Sequence, residues 1–196
     1  MSLFRSRPAR PLTSAVLALT LVMLTAAFRS VTVALTAVVL NLLSVGAAYG
    51  LLTLVFQHGV GAGLVGATTT GFVVDWLPLF LFVVLFGLSM DYHVFVVSRI
   101  REAHESGLPT RMAIARGVTA SAGVVTSAAA VMVGVFSIFG VLSLIQFKQM
   151  GVGLAAAVLI DATIVRAVLL PSAMALLGRR NWWLPARLAR VLPAAH

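Results

Sequence analysis

The chain has 196 residues, 61% of them hydrophobic and only 10% charged, with a formal net charge of +9 and a mean hydropathy of +1.08. A soluble domain of this composition would lack the polar surface to cover its core, so the sequence implies an integral membrane protein. Its arginines lie between apolar runs, as orientation in a bilayer requires, so the charge is not a nucleic-acid footprint. With no cysteine, no disulfide, thiol nucleophile or Cys-based metal site is available.

The chain opens on a basic stretch, residues 1–11, carrying Arg5, Arg7 and Arg10. An apolar run and the small residues Thr25-Ala26-Ala27 follow, a pattern that imitates a secretory signal peptide. The competing reading is an uncleaved first transmembrane helix. It is favoured because a second apolar run begins after only Phe28-Arg29-Ser30. Five apolar spans are predicted, at about 12–28, 31–56, 76–98, 117–141 and 149–177. All should be helices, because isolated strands would leave backbone polar groups unpaired in lipid and no alternating barrel pattern is present. The expected fold is therefore an all-α polytopic bundle occupying one domain, residues 12–178, followed by a basic tail, 179–196.

Arg29-Ser30 is too short for anything but a tight antiparallel turn between the first two spans. Asn41 and Ser44, inside the second, are expected to bond neighbouring helices. Between Gln57 and Asp75 the sequence is rich in Gly and Thr and lacks Lys and Arg. Gly61, Gly63 and Gly66 spell GxGxxG, but that pattern means dinucleotide binding only between a strand and a helix. With membrane spans on both flanks, a loop or half-inserted turn on the outer face is expected.

The third span, Trp76 to Arg99, carries Asp91, Tyr92 and His93 inside its apolar run. A carboxylate there costs about 2.5–3.5 kcal/mol on insertion scales, so its presence points to a proton, an ion or a partner charge. Desolvation would favour the neutral acid, and Tyr92 can donate a hydrogen bond to a carboxylate on a facing helix. His93 is either an accessory titratable group or an interhelical hydrogen-bonding residue. Beyond it, Arg101 and Glu105 are spaced i,i+4, which extends the helix past the membrane surface. Gly107 is the expected stop and Thr110 the N-cap of the next helix.

Span four carries Thr119, Gly123, Thr126, Ala130, Gly134 and Ser137 on one helix face. Such a row lets backbones approach closely. The sharper alternative is that Thr126 or Ser127 lines a proton or water path. In the last span, Asp161 and Arg166 are five residues apart, about 140° around an α-helix, so a direct pair would need distortion. Arg166 is expected instead to reach another helix or to snorkel. Pro171 should disturb the helix, and Trp182-Trp183 beside Arg179-Arg180 fit an interfacial belt.

Five spans put the two ends on opposite sides. One side collects nine basic residues (Arg29, Arg99, Arg101, Arg111, Arg116, Arg179, Arg180, Arg187 and Arg190), the other four (Arg5, Arg7, Arg10 and Lys148). The positive-inside rule makes the C-terminus cytoplasmic. No water-facing segment offers a Ser-His-Asp set or paired acids. His58, His93, His104 and His196 are too scattered to ligate a metal. Neither an enzyme nor a cofactor is expected.

The runs NLLSVGAAYG (Asn41 to Gly50), FGLSMDYHVFVVSRIREA (Phe86 to Ala103), DATIVR (Asp161 to Arg166) and LLGRRNWWLP (Leu176 to Pro185) resemble the C-terminal membrane half of MMPL transporters, of the actinobacterial type, in the RND superfamily. The resemblance covers about residues 28 to 185. It implies twelve transmembrane helices in two halves, each with an extracytoplasmic porter domain, exporting lipids and other hydrophobic compounds on the proton-motive force across the cell membrane. The five spans here correspond to the last five helices. Asp91 and Tyr92 match the second of the family's two Asp-Tyr relay pairs, with His93, Thr126, Ser127, Asp161 and Arg166 as accessory candidates. The chain contains neither the first relay pair nor a porter domain. It is therefore expected to be a split half or a truncated frame. Its expected partners are membrane lipids and either a separately encoded N-terminal half or further copies of itself. The alternative is a non-transporting fragment or a helix-binding scaffold.

Overall fold

The computed structural model describes residues 9–66, 71–183 and 185. Arg5, Arg7, Arg187 and Arg190, which weigh in the topology argument, lie outside these residues. Among the described residues all regular structure is helical. Helix α1 (Ala9–Phe28) turns at Arg29-Ser30 into α2 (Val31–Leu52), which ends in a π-helical turn, Thr53–Gln57. A 3₁₀ turn (Ala62–Val65) leads to α3 (Leu77–Glu105) and then α4 (Thr110–Val141). Helix α5 (Ile145–Ile160) runs through a π-helical segment, Asp161–Leu169, into α6 (Leu170–Leu177), and a 3₁₀ turn (Gly178–Trp182) closes the bundle. Among the described residues four helical segments are long and apolar enough to cross a membrane: Val31–Gln57, Leu77–Glu105, Thr110–Val141 and Ile145–Leu177. The apolar part of α1 spans Ser14–Phe28. The chain is a multi-pass membrane protein.

Each boundary has a local cause. Ser30 caps α2, its hydroxyl accepting from Val33 N at 3.2 Å. Arg29, with φ 48°, is the single non-glycine residue of positive φ among the described residues. Gly107, at φ 94°, supplies the left-handed turn after α3. Thr110 does not cap α4, contrary to expectation. It is the first helical residue, with Pro109 before it, and its side chain makes no capping bond. Proline already fixes the extended backbone that a helix entry needs, so a hydroxyl cap is dispensable. The Arg101–Glu105 pair forms at 2.7 Å and α3 does continue past its apolar run. The Gly-rich segment follows a helical turn, Thr53–Gln57, rather than the strand that precedes a GxGxxG nucleotide loop. It is tethered by α5: Gln149 accepts from Val74 N at 3.0 Å and donates to Phe72 O at 2.9 Å, and Lys148 donates to Gly66 O at 2.6 Å.

The core divides into two apolar clusters. One joins Phe28, Val33, Ala37, Val97, Ile100 and Met174. The other joins Leu52, Phe56, Leu77, Leu81, Leu154 and Ala157. Between them along α2, α3 and the last helix lie the buried polar residues Asn41, Ser44, Ser89, His93, Asp161 and Arg166. The bundle thus carries a polar layer near mid-height, flanked by hydrocarbon above and below. Asn41 Nδ2 reaches Phe86 O on α3 at a long 3.5 Å, while Ser44 Oγ has no partner among the described residues.

The row on α4 is a correction. Thr119, Gly123, Thr126, Ala130, Gly134 and Ser137 are all exposed, and an added Cβ at Gly123 or Gly134 would meet nothing within 4 Å. Close packing uses a neighbouring stripe instead, with Gly117, Ser121, Val125 and Ala129 buried at i,i+4 spacing. Both stripes obey helical periodicity, and only the positions of α3 and α5 select between them.

Asn181 ties the lower end together. Buried, it donates from Nδ2 to Met174 O at 2.6 Å and Gly178 O at 2.8 Å, while its own carbonyl accepts from the Ser30 hydroxyl. Asn181→Ala removes a buried side-chain donor from two carbonyls at the helix end and is expected to cost about 1–3 kcal/mol, read as a lowered unfolding midpoint in detergent micelles. Asn181→Asp, which removes the donor and adds a charge, should cost more.

Candidate functional site

The polar layer is organised by the π-helical segment. The i→i+5 ladder adds about one residue per turn, so residues five apart, which diverge on an α-helix, come to share a face. Arg166 Nε therefore meets Asp161 Oδ2 at 2.7 Å. The direct pair that α-helical spacing disfavours is formed, and the distortion it needs is the π-helix. Pro171 stands just after it, where a missing N–H cannot serve the α-helical ladder. Arg166 also reaches another helix, as expected. Its Nη2 donates to Ser89 O and, at 2.9 Å, to Ser89 Oγ on α3. Ser89 Oγ in turn donates to Asp161 Oδ1 at 3.1 Å. Asp161 and Arg166 are both buried, so the ion pair sits where attraction is strong and separation is costly.

Tyr92 joins this cluster through its ring, with the Arg166 guanidinium carbon 5.0 Å from the ring centroid, a cation–π distance. Ser89 and Tyr92 are three residues apart on α3 and so face α5 together. A void of about 10 Å³ lies beside them, lined by Ser44, Ser89, Tyr92 and Asp161 among others. That is about the space of one water-sized sphere.

Asp91 is placed differently from the buried carboxylate that the sequence suggests. One residue before Tyr92, it turns about 100° away and is exposed on the outer face of α3. The buried carboxylate is Asp161. His93 is buried, but its Nε2 has no hydrogen-bond partner among the described residues, so the expected interhelical bond is not made there. Thr126 and Ser127 are both exposed and bond back to their own helix, Thr126 to Ala122 O at 2.8 Å and Ser127 to Val124 O at 3.1 Å. Thr126 nevertheless lines a cleft of about 70 Å³ between α4 and the last helix, together with Ser121 and Arg166. Ser127 does not. Arg166 Nη1 is buried without a partner among the described residues.

The structure thus brings Ser89, Tyr92, Asp161 and Arg166 together, sets Thr126 at the edge and leaves Asp91 and Ser127 on the outside. No group of three metal-ligating side chains occurs among the described residues. The sequence from residue 3 to residue 194 matches the MMPL family. This chain is an MMPL family member. It is 44% identical over 172 residues to a Mycobacterium tuberculosis protein named heme uptake protein MmpL11, covering 88% of this chain and 18% of that protein. It is 43% identical over 172 residues to the mycolic acid-containing lipids exporter MmpL11 of Mycolicibacterium smegmatis, with the same coverage of 88% and 18%. To the trehalose monomycolate exporter MmpL3 of that organism it is 38% identical over 172 residues, covering 88% of this chain and 17% of the exporter. The chain therefore spans less than a fifth of the length of these relatives.

Ser89 is the residue that sequence reasoning missed. A serine in a span reads as a packing residue, and nothing local marks it. The signal available was its three-residue spacing to Tyr92, which places both on the face turned towards the DATIVR run.

Proposed function

We propose that this chain is a membrane module of a proton-driven MMPL exporter of lipids or other hydrophobic compounds, corresponding to the last five helices of the transporter. It sits in the cell membrane with its C-terminus cytoplasmic, the side to which nine basic residues are assigned against four. Asp91 and Tyr92 form its half of the proton relay. The observation that carries the reading is the Arg166 guanidinium, which touches the Tyr92 ring and the Asp161 carboxylate at once. A proton arriving near Tyr92 changes the field on a buried ion pair of the last helix that is hydrogen-bonded to Ser89 of α3. In a low-dielectric layer such a change is felt strongly and shifts α3 relative to the last helix. His93, Ser121 and Thr126 line or adjoin the route by which water reaches Arg166.

The exposure of Asp91 supports a partner. A carboxylate on the outer face of α3 would otherwise look into hydrocarbon, at a cost of about 2.5–3.5 kcal/mol. A second membrane half, or a second copy of this chain, covering α3 and the small-residue stripe of α4 would shelter it. The names of the relatives support trying lipids, and in one case heme, as cargo.

The test is proton movement in vesicles holding the chain, alone and with an N-terminal MMPL half, wild type against Asp91→Asn. Asp91-dependent proton movement that requires the second half is the expected result, with insertion unchanged in the variant. Proton movement equal in wild type and variant would remove the relay role. None in any combination, with the protein inserted, would make this a helix-binding membrane module.

A further inference from the structure

At the end of the bundle opposite the Gly-rich segment, a cleft of about 340 Å³ opens between the α1–α2 turn, the end of α3 and the closing 3₁₀ turn. It is lined by Phe28, Arg29, Arg101, His104, Glu105 and Trp182. We propose that this cleft binds the phosphodiester headgroup of an anionic phospholipid. The proposal rests on the membrane-spanning fold and is independent of the transport reading.

The position fits a headgroup. Phe28, buried, ends the apolar run of α1, so the cleft begins where hydrocarbon gives way to polar headgroups. Trp182 stands beside it, as interfacial tryptophans do. His104 stacks on the Trp182 ring with centroids 5.2 Å apart and planes 7° from parallel, which makes a rigid wall. His104 Nδ1 is occupied by Leu108 O at 3.2 Å, so its Nε2 edge is the one left for a ligand. The Trp182 indole N–H is buried without a partner among the described residues.

The charges fit a phosphodiester. Arg101 is held by Glu105 through Nε at 2.7 Å and by Ala27 O through Nη1 at 3.4 Å. That fixes the guanidinium plane and leaves Nη2 to a ligand, and arginine is the preferred partner of phosphate oxygens. Arg29 supplies the second cation and Glu105 offsets one, so the arginines and the glutamate of the lining leave about one net positive charge. That balances a phosphodiester better than a doubly charged phosphomonoester. Basic pockets between transmembrane helices are a recurrent headgroup site.

Arg29 adds a separate argument. It is held in the left-handed region at φ 48°, where a glycine would sit without strain and a long side chain is disfavoured. Strain of this kind marks positions retained for what the side chain does. It also provides a variant that separates structure from binding. Arg29→Gly suits the backbone and removes the cation, and its unliganded melting temperature is read beside its lipid response.

The experiment is a thermal-unfolding titration of the full chain in neutral detergent with phosphatidylglycerol, phosphatidylcholine or inorganic phosphate. Phosphatidylglycerol should raise the melting temperature saturably, and the other two should not. Arg29→Gly and Arg101→Gln should each weaken the phosphatidylglycerol effect at least tenfold in apparent affinity. Arg111→Gln, an exposed arginine away from the cleft lining, should leave it unchanged. The proposal is overturned if phosphatidylglycerol has no effect on wild type, if Arg29→Gly responds as wild type does, or if Arg111→Gln loses the response equally. Inorganic phosphate reproducing the shift would overturn the lipid assignment in favour of a free-anion site.

Discussion

Arg166→Met is expected to destabilise the bundle by about 3–5 kcal/mol, more than any other single side-chain truncation in the polar layer. The guanidinium is the only cation beside Asp161 among the described residues, at 2.7 Å, and it holds Ser89 of α3 through two further hydrogen bonds. Its removal leaves a buried carboxylate with one serine hydroxyl in place of a charge, and an uncompensated buried charge is what makes a broken pair so costly. Methionine fills much of the volume, so the loss reports electrostatics rather than a cavity. The informative companion is the double variant Asp161→Leu, Arg166→Met. Replacing a buried pair by apolar residues is often neutral or stabilising by about 1–4 kcal/mol, so the double variant should unfold near the wild-type midpoint. If the pair serves coupling, the double variant folds and yet fails in the vesicle assay. A single variant as stable as wild type, in detergent unfolding, would show that the pair is not the keystone of the layer.

The parts of this fold that the sequence discloses are those governed by local physics. Apolar length specifies the helices, and Ser30 and Gly107 punctuate them. The spacing of Arg101 to Glu105 carries α3 beyond the membrane surface. What the sequence conceals depends on which faces meet. Two stripes of small residues run along α4, one through Gly123 and Thr126 and one through Gly117 and Ser121. Period alone does not rank them, because the choice is made by α3 and α5. The candidate site shows the same division. Asp91 announces itself, since a carboxylate in an apolar run is conspicuous, but its exposure follows from the one-residue offset to Tyr92, which is the residue turned inwards. Asp161 and Arg166 look mismatched only under α-helical geometry. The π-helical register that unites them is stabilised by the contact with Ser89, seventy-seven positions from Arg166 in the chain. No local propensity encodes it.

Glycine-to-alanine substitutions along α4 and α5 should divide sharply in sign, and the division tests the packing directly. At Gly151 an added Cβ would lie 2.3 Å from Gly140 N and 2.6 Å from Phe136 O. At Gly117 it would lie 2.5 Å from Ile100 Cγ1 and 2.6 Å from Ile100 N. Backbone atoms cannot rotate away, so the helices must separate, and Gly151→Ala and Gly117→Ala should each cost about 3 kcal/mol, the upper part of the overpacking range. Gly153 is closely approached too, but by Leu52 Cδ1 at 2.8 Å. A leucine side chain can change rotamer, so Gly153→Ala should cost only about 1 kcal/mol. Gly123→Ala and Gly134→Ala meet open space. Removing a mid-helix glycine should there stabilise by about 0.5–1 kcal/mol. Unfolding midpoints of the five variants in one detergent provide the comparison. Equal losses at Gly151 and Gly123 would mean that α4 and α5 do not cross where they are placed. The opposite pattern, with loss at Gly123 and tolerance at Gly151, would show that the outward stripe of α4 is the packed one, as a second copy proposed to cover α3 would make it.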